Sequence, residues 1–384
     1  MANVLTELAA DIYKAADIVG REQVGVVPSA TINGGTERAA FGDTVRSHFT
    51  RYPTLTSRYT PSLTIPEGDD QTVDNKTMTI DQVANIQIPW TGEDIKHVSN
   101  GAGFETIYGD QIAQAMRSIT NAIETFAADV VYKGASRAVG AAGTTPFGSN
   151  FDVIAEARQV LVDNGCPMDG QVTMALNTAA GTKLRNLAQL QKANESGGTE
   201  LLRRGTLLDL QGIMLKESAG IAAHVKGAGA GYQASAAAAV DATTIALDGG
   251  TVNTTGIKAG DVVTFAGDSN NYVVGTGLTA VSGNVVLNET GLREALADNA
   301  AMTVGNSYAG NVVFHRSAVE IVVRPPAQPQ GGDAAVDRMT VQDPFSGLVY
   351  EIAVYKGYGK TMMDITTFYA AKAWKPDFIA NVMG

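Results

Sequence analysis

The side chains able to hold a metal or pass protons are few and scattered. His48, His97, His224 and His315 stand far apart, and none shares a metal-ligand spacing with another histidine, a cysteine or a carboxylate pair, so no zinc site is expected. The single cysteine, Cys166, excludes an intrachain disulfide framework and is compatible with a reducing cytoplasm. Within Asp163-Asn164-Gly165-Cys166-Pro167 it reads as a small side chain in a helix-terminal turn. Asp69, Asp70 and Asp74 lack the glycine and terminal glutamate that complete a calcium loop and read as a solvated turn. Gly357-Tyr358-Gly359-Lys360-Thr361 matches the end of a phosphate-binding loop, but the loop's first glycine would fall on Val354 and strand residues follow, so a turn between strands is expected. Gly227 to Gly231 is followed by β-rich sequence instead of the helix that would bind a pyrophosphate, which makes it a hinge or flexible linker. No nucleophile, base and orienting acid fall in a known signature. The expectation is a chain that is not an enzyme and has no catalytic, metal or cofactor site.

Charge narrows the partners. Asp and Glu number 39 against 28 Lys and Arg, a net charge of -11. A groove that neutralises phosphates needs Lys and Arg gathered on one face, and the longest basic signal is Leu201-Leu202-Arg203-Arg204, so sequence-specific nucleic-acid binding is not expected. An acidic wall can still enclose DNA, because it lets the polymer slide. No run reaches the ~18 apolar residues of a membrane span, and Met1 to Leu8 lack a basic region followed by an apolar core, so a soluble cytoplasmic product without membrane contact is expected. With 45% hydrophobic and 17% charged residues, the chain can build two or three cores.

The elements that would position these residues follow from periodicity. Leu5, Leu8, Ile12, Ala15, Ala16 and Val19 predict an amphipathic helix before Gly20, and Val24 to Gly42 reads as an arm that leaves its own core to lie on a neighbour. From Arg46 to Ile95, β-branched runs punctuated by Pro53, Pro61, Pro66 and Pro89 predict a long projecting β-hairpin with its tip at Pro66 to Gln71. An isolated hairpin is marginal in water, so an adjacent subunit is expected to cover it. Tyr108, Ile112, Met116, Ile119, Ile123, Phe126 and Val130 form one helix face, and a helix from Phe104 to Lys133 would be about 45 Å long, with Gly134 as its stop. Helices over Phe151 to Asp163 and Ala179 to Gln191 alternate with strands over Gln171 to Leu176 and Leu207 to Lys216, a compact α/β unit. Short strands at Val240–Leu247, Asp261–Phe265, Tyr272–Val274, Thr279–Val281, Val285–Leu287 and Met302–Val304 predict an inserted all-β domain that could be deleted without unfolding the α/β core. Strands then return at Asn311–His315, Val319–Val323, Leu348–Lys356 and Lys360–Phe368.

This order, with Phe104-Glu105-Thr106-Ile107-Tyr108-Gly109-Asp110 through Tyr132-Lys133 as a spine helix and Gly256 to Phe265 in a barrel-like insertion, resembles the Hong Kong 97 type capsid fold of tailed bacteriophages. More narrowly it is similar to the insertion-domain coat proteins of short-tailed phages of the lambdoid Salmonella group. The resemblance implies an α+β chain divided into an N-terminal helix and arm (1–45), an extended hairpin with flanking strands (46–100), a peripheral spine helix and loop (101–150), an apical α/β domain in two parts (151–226 and 305–340), an inserted β domain (227–304) and C-terminal strands returning to the peripheral domain (341–384). It implies a major capsid protein that assembles with itself into pentamers and hexamers of an icosahedral shell in the virion. Its partners would be a separate scaffolding protein, a portal protein at one vertex, in some relatives a decoration protein, and double-stranded DNA enclosed without sequence-specific contacts. Intersubunit contacts are expected at Val24, Val26 and Val27 on the arm and at Ile80, Val83, Ile86 and Ile88 on the hairpin, against the alternative that these lie in an ordinary intrachain sheet. Lys76 lies on the hairpin, where some relatives crosslink a lysine to an asparagine, but neither acceptor nor assisting acid is identifiable and the crosslink is not carried over. An encapsulin-like nanocompartment shell and a carbohydrate-binding or enzymatic surface protein are the rival readings.

Overall fold

A helix with an apolar stripe along its whole length must be covered along its whole length, and that requirement organises the fold. The computed structural model describes residues 25–35, 37–50, 61, 63–65, 73–99, 104–191, 209–251, 255–343 and 346–384. A short 3-10 turn (Val27–Ser29) leads to β1 (Thr31–Gly34), β2 (Thr44–Thr50), β3 (Val73–Thr79), β4 (Gln82–Thr91) and the polar helix α1 (Gly92–Ser99). The long helix α2 (Phe104–Lys133) has the bounds that its periodicity predicts, and β5 (Arg137–Val139) and α3 (Asp152–Asp163) follow it. After β6 (Val172–Leu176), the helix expected over Ala179 to Gln191 is two helices, α4 (Thr178–Arg185) and α5 (Ala188–Gln191). The chain continues as β7 (Met214–Glu217), β8 (Ala223–His224), β9 (Gln233–Ala234), β10 (Thr244–Asp248), β11 (Val262–Phe265), β12 (Asn271–Thr276), β13 (Gly283–Leu287) and β14 (Met302–Val304). It closes with β15 (Tyr308–His315), β16 (Val319–Arg324), β17 (Ala335–Gln342), β18 (Val349–Gly357), β19 (Lys360–Ala373) and β20 (Ile379–Met383). Thr279–Val281 is not a strand. The amphipathic segment 4–19, Val24, the hairpin tip at 66–71 and Leu201 to Arg204 lie outside the described residues.

Two large sheets result. In the six-stranded sheet β19 is the long central strand, antiparallel to β18, β16 and β4, while β17 pairs with β18 and β1 runs parallel to β16. The twelve-stranded sheet runs β7-β6-β15-β20-β5-β12-β13-β10-β9, with β8, β11 and β14 attached to it. On α2, Ile112, Met116, Ile119, Ile123, Ala127 and Val131 are buried, and the helix packs on β4 and β19 of one sheet and on β15 and β20 of the other. Each buried Ile, Met or Val side chain there contributes about 2 kcal/mol by leaving water. Gly134 follows the helix because the backbone passes β19 there: a Cβ at that position would stand 2.4 Å from Ala373 Cβ.

The segment from Tyr232 to Met302 has its own core, built on Tyr232, Ile245, Leu247, Val263, Phe265 and Tyr272. It is nevertheless sutured to the rest of the chain. β12 pairs with β5, and Asn288 Nδ2 donates to the carbonyls of Lys133 (2.8 Å), which the helix end leaves without a partner, and of Ala135 (2.6 Å) just beyond it. Buried Arg137 reaches Asn270 Oδ1 at 3.2 Å from the same side. Deleting 227–304 would strip these hydrogen bonds from the α/β core. The glycine tract opening this segment is also not a loose linker. A Cβ on Gly227 would fall 2.1 Å from the Gly256 carbonyl oxygen, and Gly229 donates its N–H to that same oxygen at 2.8 Å, so the tract is a close backbone crossing.

The arm also differs from expectation over its described part. Glu124, buried on α2, accepts from the N–H groups of Val26 (2.6 Å) and Val27 (2.8 Å) and from Ser218 Oγ (2.7 Å). The carboxylate caps the 3-10 turn and is itself neutralised in part by three donors. Val26 and Val27 are fully buried in the main core, and β1 continues beside β16, so residues 25–34 pack on their own chain. Glu124→Ala leaves two buried N–H groups without an acceptor and is expected to cost about 2–4 kcal/mol, read as a lowered urea midpoint of the unassembled subunit. Asn288→Ala should cost about 1–2 kcal/mol in the same measurement.

Candidate functional site

The groups with chemical potential resolve into structural networks. His224 is buried with Nε2 2.8 Å from Asp261 Oδ1, and its Nδ1 lies 3.2 Å from Tyr132 Oη, which also donates to Asp129 at 3.0 Å. Asp261 is saturated by the N–H groups of Gly227 and Lys258 as well. Burial pushes the phenols of Tyr132 and Tyr308 well above the usual tyrosine range, so both remain protonated donors, and Tyr308 donates to the Gly260 carbonyl at 2.7 Å. The network locks α2 to β8 and to the loop before β11.

His315 presents a second alignment, with Ser317 Oγ 2.8 Å from Nδ1 and Asp169 Oδ1 3.1 Å from Nε2. Serine, imidazole and carboxylate stand in the order of a catalytic relay, but Ser317 also donates its N–H to the same Nδ1 at 3.2 Å. The ring is thus the cap of the 3-10 turn Arg316–Ser317–Ala318. Asp169 is held below the usual carboxylate range first by the Gln171 N–H and then by His315. Cys166 is buried and its thiol is pushed up to about 11, which leaves it unreactive. His97 is exposed on α1 and shares no network with these two histidines. Gly357 to Thr361 is the turn joining β18 to β19, as expected. Among the described residues, no group of three or more His, Cys, Asp or Glu side chains is placed to hold a metal.

What the fold leaves incomplete is a surface. β2 and β3 pair with each other, Thr44–Thr50 against Thr79–Val73, and with no further strand among the described residues. The base of this ribbon is covered: Met78 and Ile80 are buried with Ala39, Val322, Ala370 and Trp374, and Lys76 Nζ donates to the Trp374 carbonyl at 3.1 Å. Phe41, just before β2 in the chain, is 65% exposed, and between β2 and β3 in the chain Leu63 is 109% and Ile65 93% exposed. Among the described residues β4 forms an edge of the six-stranded sheet, pairing with β19 alone. Its period-two pattern turns Ala84, Ile86, Ile88 and Trp90 towards α2 and leaves Val83, Asn85 and Gln87 outside.

The residues singled out for contact with a neighbour thus divide. Val26, Val27, Ile80 and Ile88 are buried by this chain itself, and Ile86 packs against its core. Val83 is 45% exposed and remains available. Phe41, Leu63 and Ile65 were not picked out by sequence, although Leu63 and Ile65 alternate in strand fashion between Pro61 and Pro66. Glu124 was also missed, because its partners are almost a hundred residues away in the chain.

At the far edge of the same sheet, charge replaces apolar cover. Glu351 forms an ion pair with Arg38 at 2.6 Å and accepts from Arg338, and Arg338 in turn pairs with Asp333, which also accepts from Tyr355 Oη at 2.7 Å. Arg338, followed by Tyr355, holds Asp333 down to about 2. Because the folded carboxyl lies below its ordinary value of 3.8, its contribution is complete above about pH 4 and lost as pH falls towards 2. Asp333→Asn should therefore flatten the pH dependence of the urea midpoint between pH 4 and 2, leaving its slope near neutrality unchanged.

No protein-family model matches the chain, and no curated protein matches it. Among solved structures it is similar to a chain from Mycobacterium phage Che8, at 16% identity over 89% of this chain and 84% of that one, with a TM-score of 0.47. It is similar to a capsid chain of the cyanophage P-SCSP1u, at 11% identity over 94% and 88% with a TM-score of 0.49. A virus-like particle from Pyrococcus furiosus is similar at 9% identity over 98% and 100%, with a TM-score of 0.45.

Proposed function

We propose that this chain is the major capsid protein of a tailed bacteriophage, a subunit that assembles with copies of itself into a closed shell around double-stranded DNA. The observation that carries the reading is the two-stranded ribbon β2–β3, which pairs with no third strand among the described residues, together with the exposed apolar side chains Phe41, Leu63 and Ile65 on the chain before and between its strands. A hairpin in that state is marginal alone, and a surface repeated on every identical copy completes itself when copies meet. Folding stability and assembly then become linked quantities. The acidic balance suits a container whose packed polymer must move.

Within this reading the subunits form pentamers and hexamers of an icosahedral shell, Val83 and the ribbon face a neighbour, and a separate scaffolding protein sets the size. A portal protein would occupy one vertex. The residue networks described above support a structural role, since each histidine with buried partners is spent on holding elements together. The purified protein should sediment as large particles that negative-stain microscopy shows to be closed shells, tubes or aberrant polyhedra. A monodisperse monomer that stays monomeric with its scaffolding partner would overturn the proposal, and particles holding protein cargo in place of DNA would move it to a nanocompartment.

A further inference from the structure

The turn between β18 and β19 carries more side chain than a turn requires. Gly357 and Lys360 are the last pair of the hairpin, so the chain reverses over Tyr358 and Gly359 alone. Gly359 takes a φ of +64°, which suits glycine, but the reversal asks for no aromatic at position 358, where small turn formers are the usual occupants. Tyr358 nevertheless stands 107% exposed, an aromatic side chain with no cover from its own chain. Lys356 and Lys360 flank it and are exposed as well, a local excess of positive charge on a chain whose net charge is -11.

The opposite sign lies beside it. Lys360 pairs across the sheet with Thr91 at the end of β4, and the Gly92 N–H donates to the Gly359 carbonyl at 3.2 Å, which fixes the start of α1 against the turn. The first turn of α1 bears Glu93 and Asp94, both exposed, while Lys96 and His97 lie further along the helix. Because β18, β19 and β4 are neighbouring strands, this end of the sheet has lysines on β18 and β19 and carboxylates following β4, within about 10 Å of strand spacing. Among the described residues Lys356, Lys360 and Glu93 form no ion pair, and Asp94 accepts only from Thr91. A nucleic acid would meet these carboxylates together with the lysines, whereas a second copy of the same corner, rotated about an axis, offers each flank its opposite. We propose that this corner docks on the same corner of another copy, Lys356 and Lys360 of one facing Glu93 and Asp94 of the next, with Tyr358 covered between them. The inference rests on the shell reading and names one contact by which its subunits meet.

The test is carbodiimide crosslinking, which joins an amine to a carboxylate only where the two are in contact, on particles assembled from an equal mixture of isotopically heavy and light full chains. Amide-linked peptides should join Lys356 or Lys360 to Glu93 or Asp94, with heavy joined to light as often as like to like. Like-to-like links alone would mean an ion pair within one chain, and particles without the link would mean that copies meet elsewhere; either result overturns the proposal and leaves the shell reading standing. A chain that forms no particles would remove both together. Charge reversal gives an independent reading: Lys360→Glu and Glu93→Lys should each raise the subunit concentration needed for particles at least about tenfold, and the double variant should return it to within about threefold of the unsubstituted chain. The urea midpoint of the unassembled subunit should stay where it is, since only exposed side chains change. Normal particles from Lys360→Glu that retain less DNA would assign the turn to nucleic acid and overturn the proposal.

Discussion

The rest of the structure depends on one stripe of apolar side chains on α2. A thirty-residue helix is longer than a single sheet is wide, so no one layer can cover it. The chain solves this by packing two sheets on the helix and by sending the connections back and forth between them. Strand β19 runs beside the helix as far as its end, where Ala373 meets Gly134, and the chain then turns through Trp374 to place β20 against β15 and β5. The two sheets are held in register by the helix that both must bury, and Thr120 with Tyr350, 2.8 Å apart and buried, adds a polar pin along that interface.

Polar groups then decide what the apolar stripe leaves open. Glu124 selects which segment enters beside the helix, the Tyr132–His224–Asp261 network selects where the β-rich segment crosses it, and Asn288 closes its C-terminal end. Each is buried or nearly so and has its donors and acceptors matched, as low-dielectric surroundings demand. Two stretches of glycine serve the same packing, since Gly25 and Gly227 stand where any side chain would collide with a carboxylate or a carbonyl. The surface left over is the ribbon, which pairs with no further strand among the described residues and is held at its base by Met78 and by Lys76 on the Trp374 carbonyl.

Much of this was legible in the sequence where the signal is local. The period of Ile112, Met116, Ile119 and Ile123 identified α2 to its ends, and the apolar runs identified β6, β11, β15 and β16 closely. Helix α1 escaped because Gly-Glu-Asp-Ile-Lys-His-Val-Ser offers no apolar face long enough to register a period. β17 escaped for a related reason, its polar residues being paired with charges on β18 and so not alternating cleanly. The arm and the glycine tract were misread because their meaning lies in distant partners. Val26 reads as an exposed arm residue until Glu124 is known to hold it, and Gly227 reads as a hinge until Gly256 is known to press on it. The candidate surface was half legible: the ribbon was expected, but which of its apolar residues the chain keeps for itself depends on Trp374 at the other end of the sequence.

The parallel pairing of β1 with β16 has a consequence for the time course of synthesis. Asn33 finds its partner Glu320 287 residues later, so the first strand of the six-stranded sheet is made long before the strand that receives it. At about 5–20 residues per second on the ribosome, the early strand waits some tens of seconds with its hydrogen-bonding edge unsatisfied. Such non-local pairing also slows the search for the native state once the chain is released. The nascent chain is therefore most exposed to wrong strand partners, including those of other nascent copies, during the interval before its own C-terminal half arrives. A cell producing this protein in quantity has reason to keep a holding chaperone on its N-terminal quarter until β16 emerges.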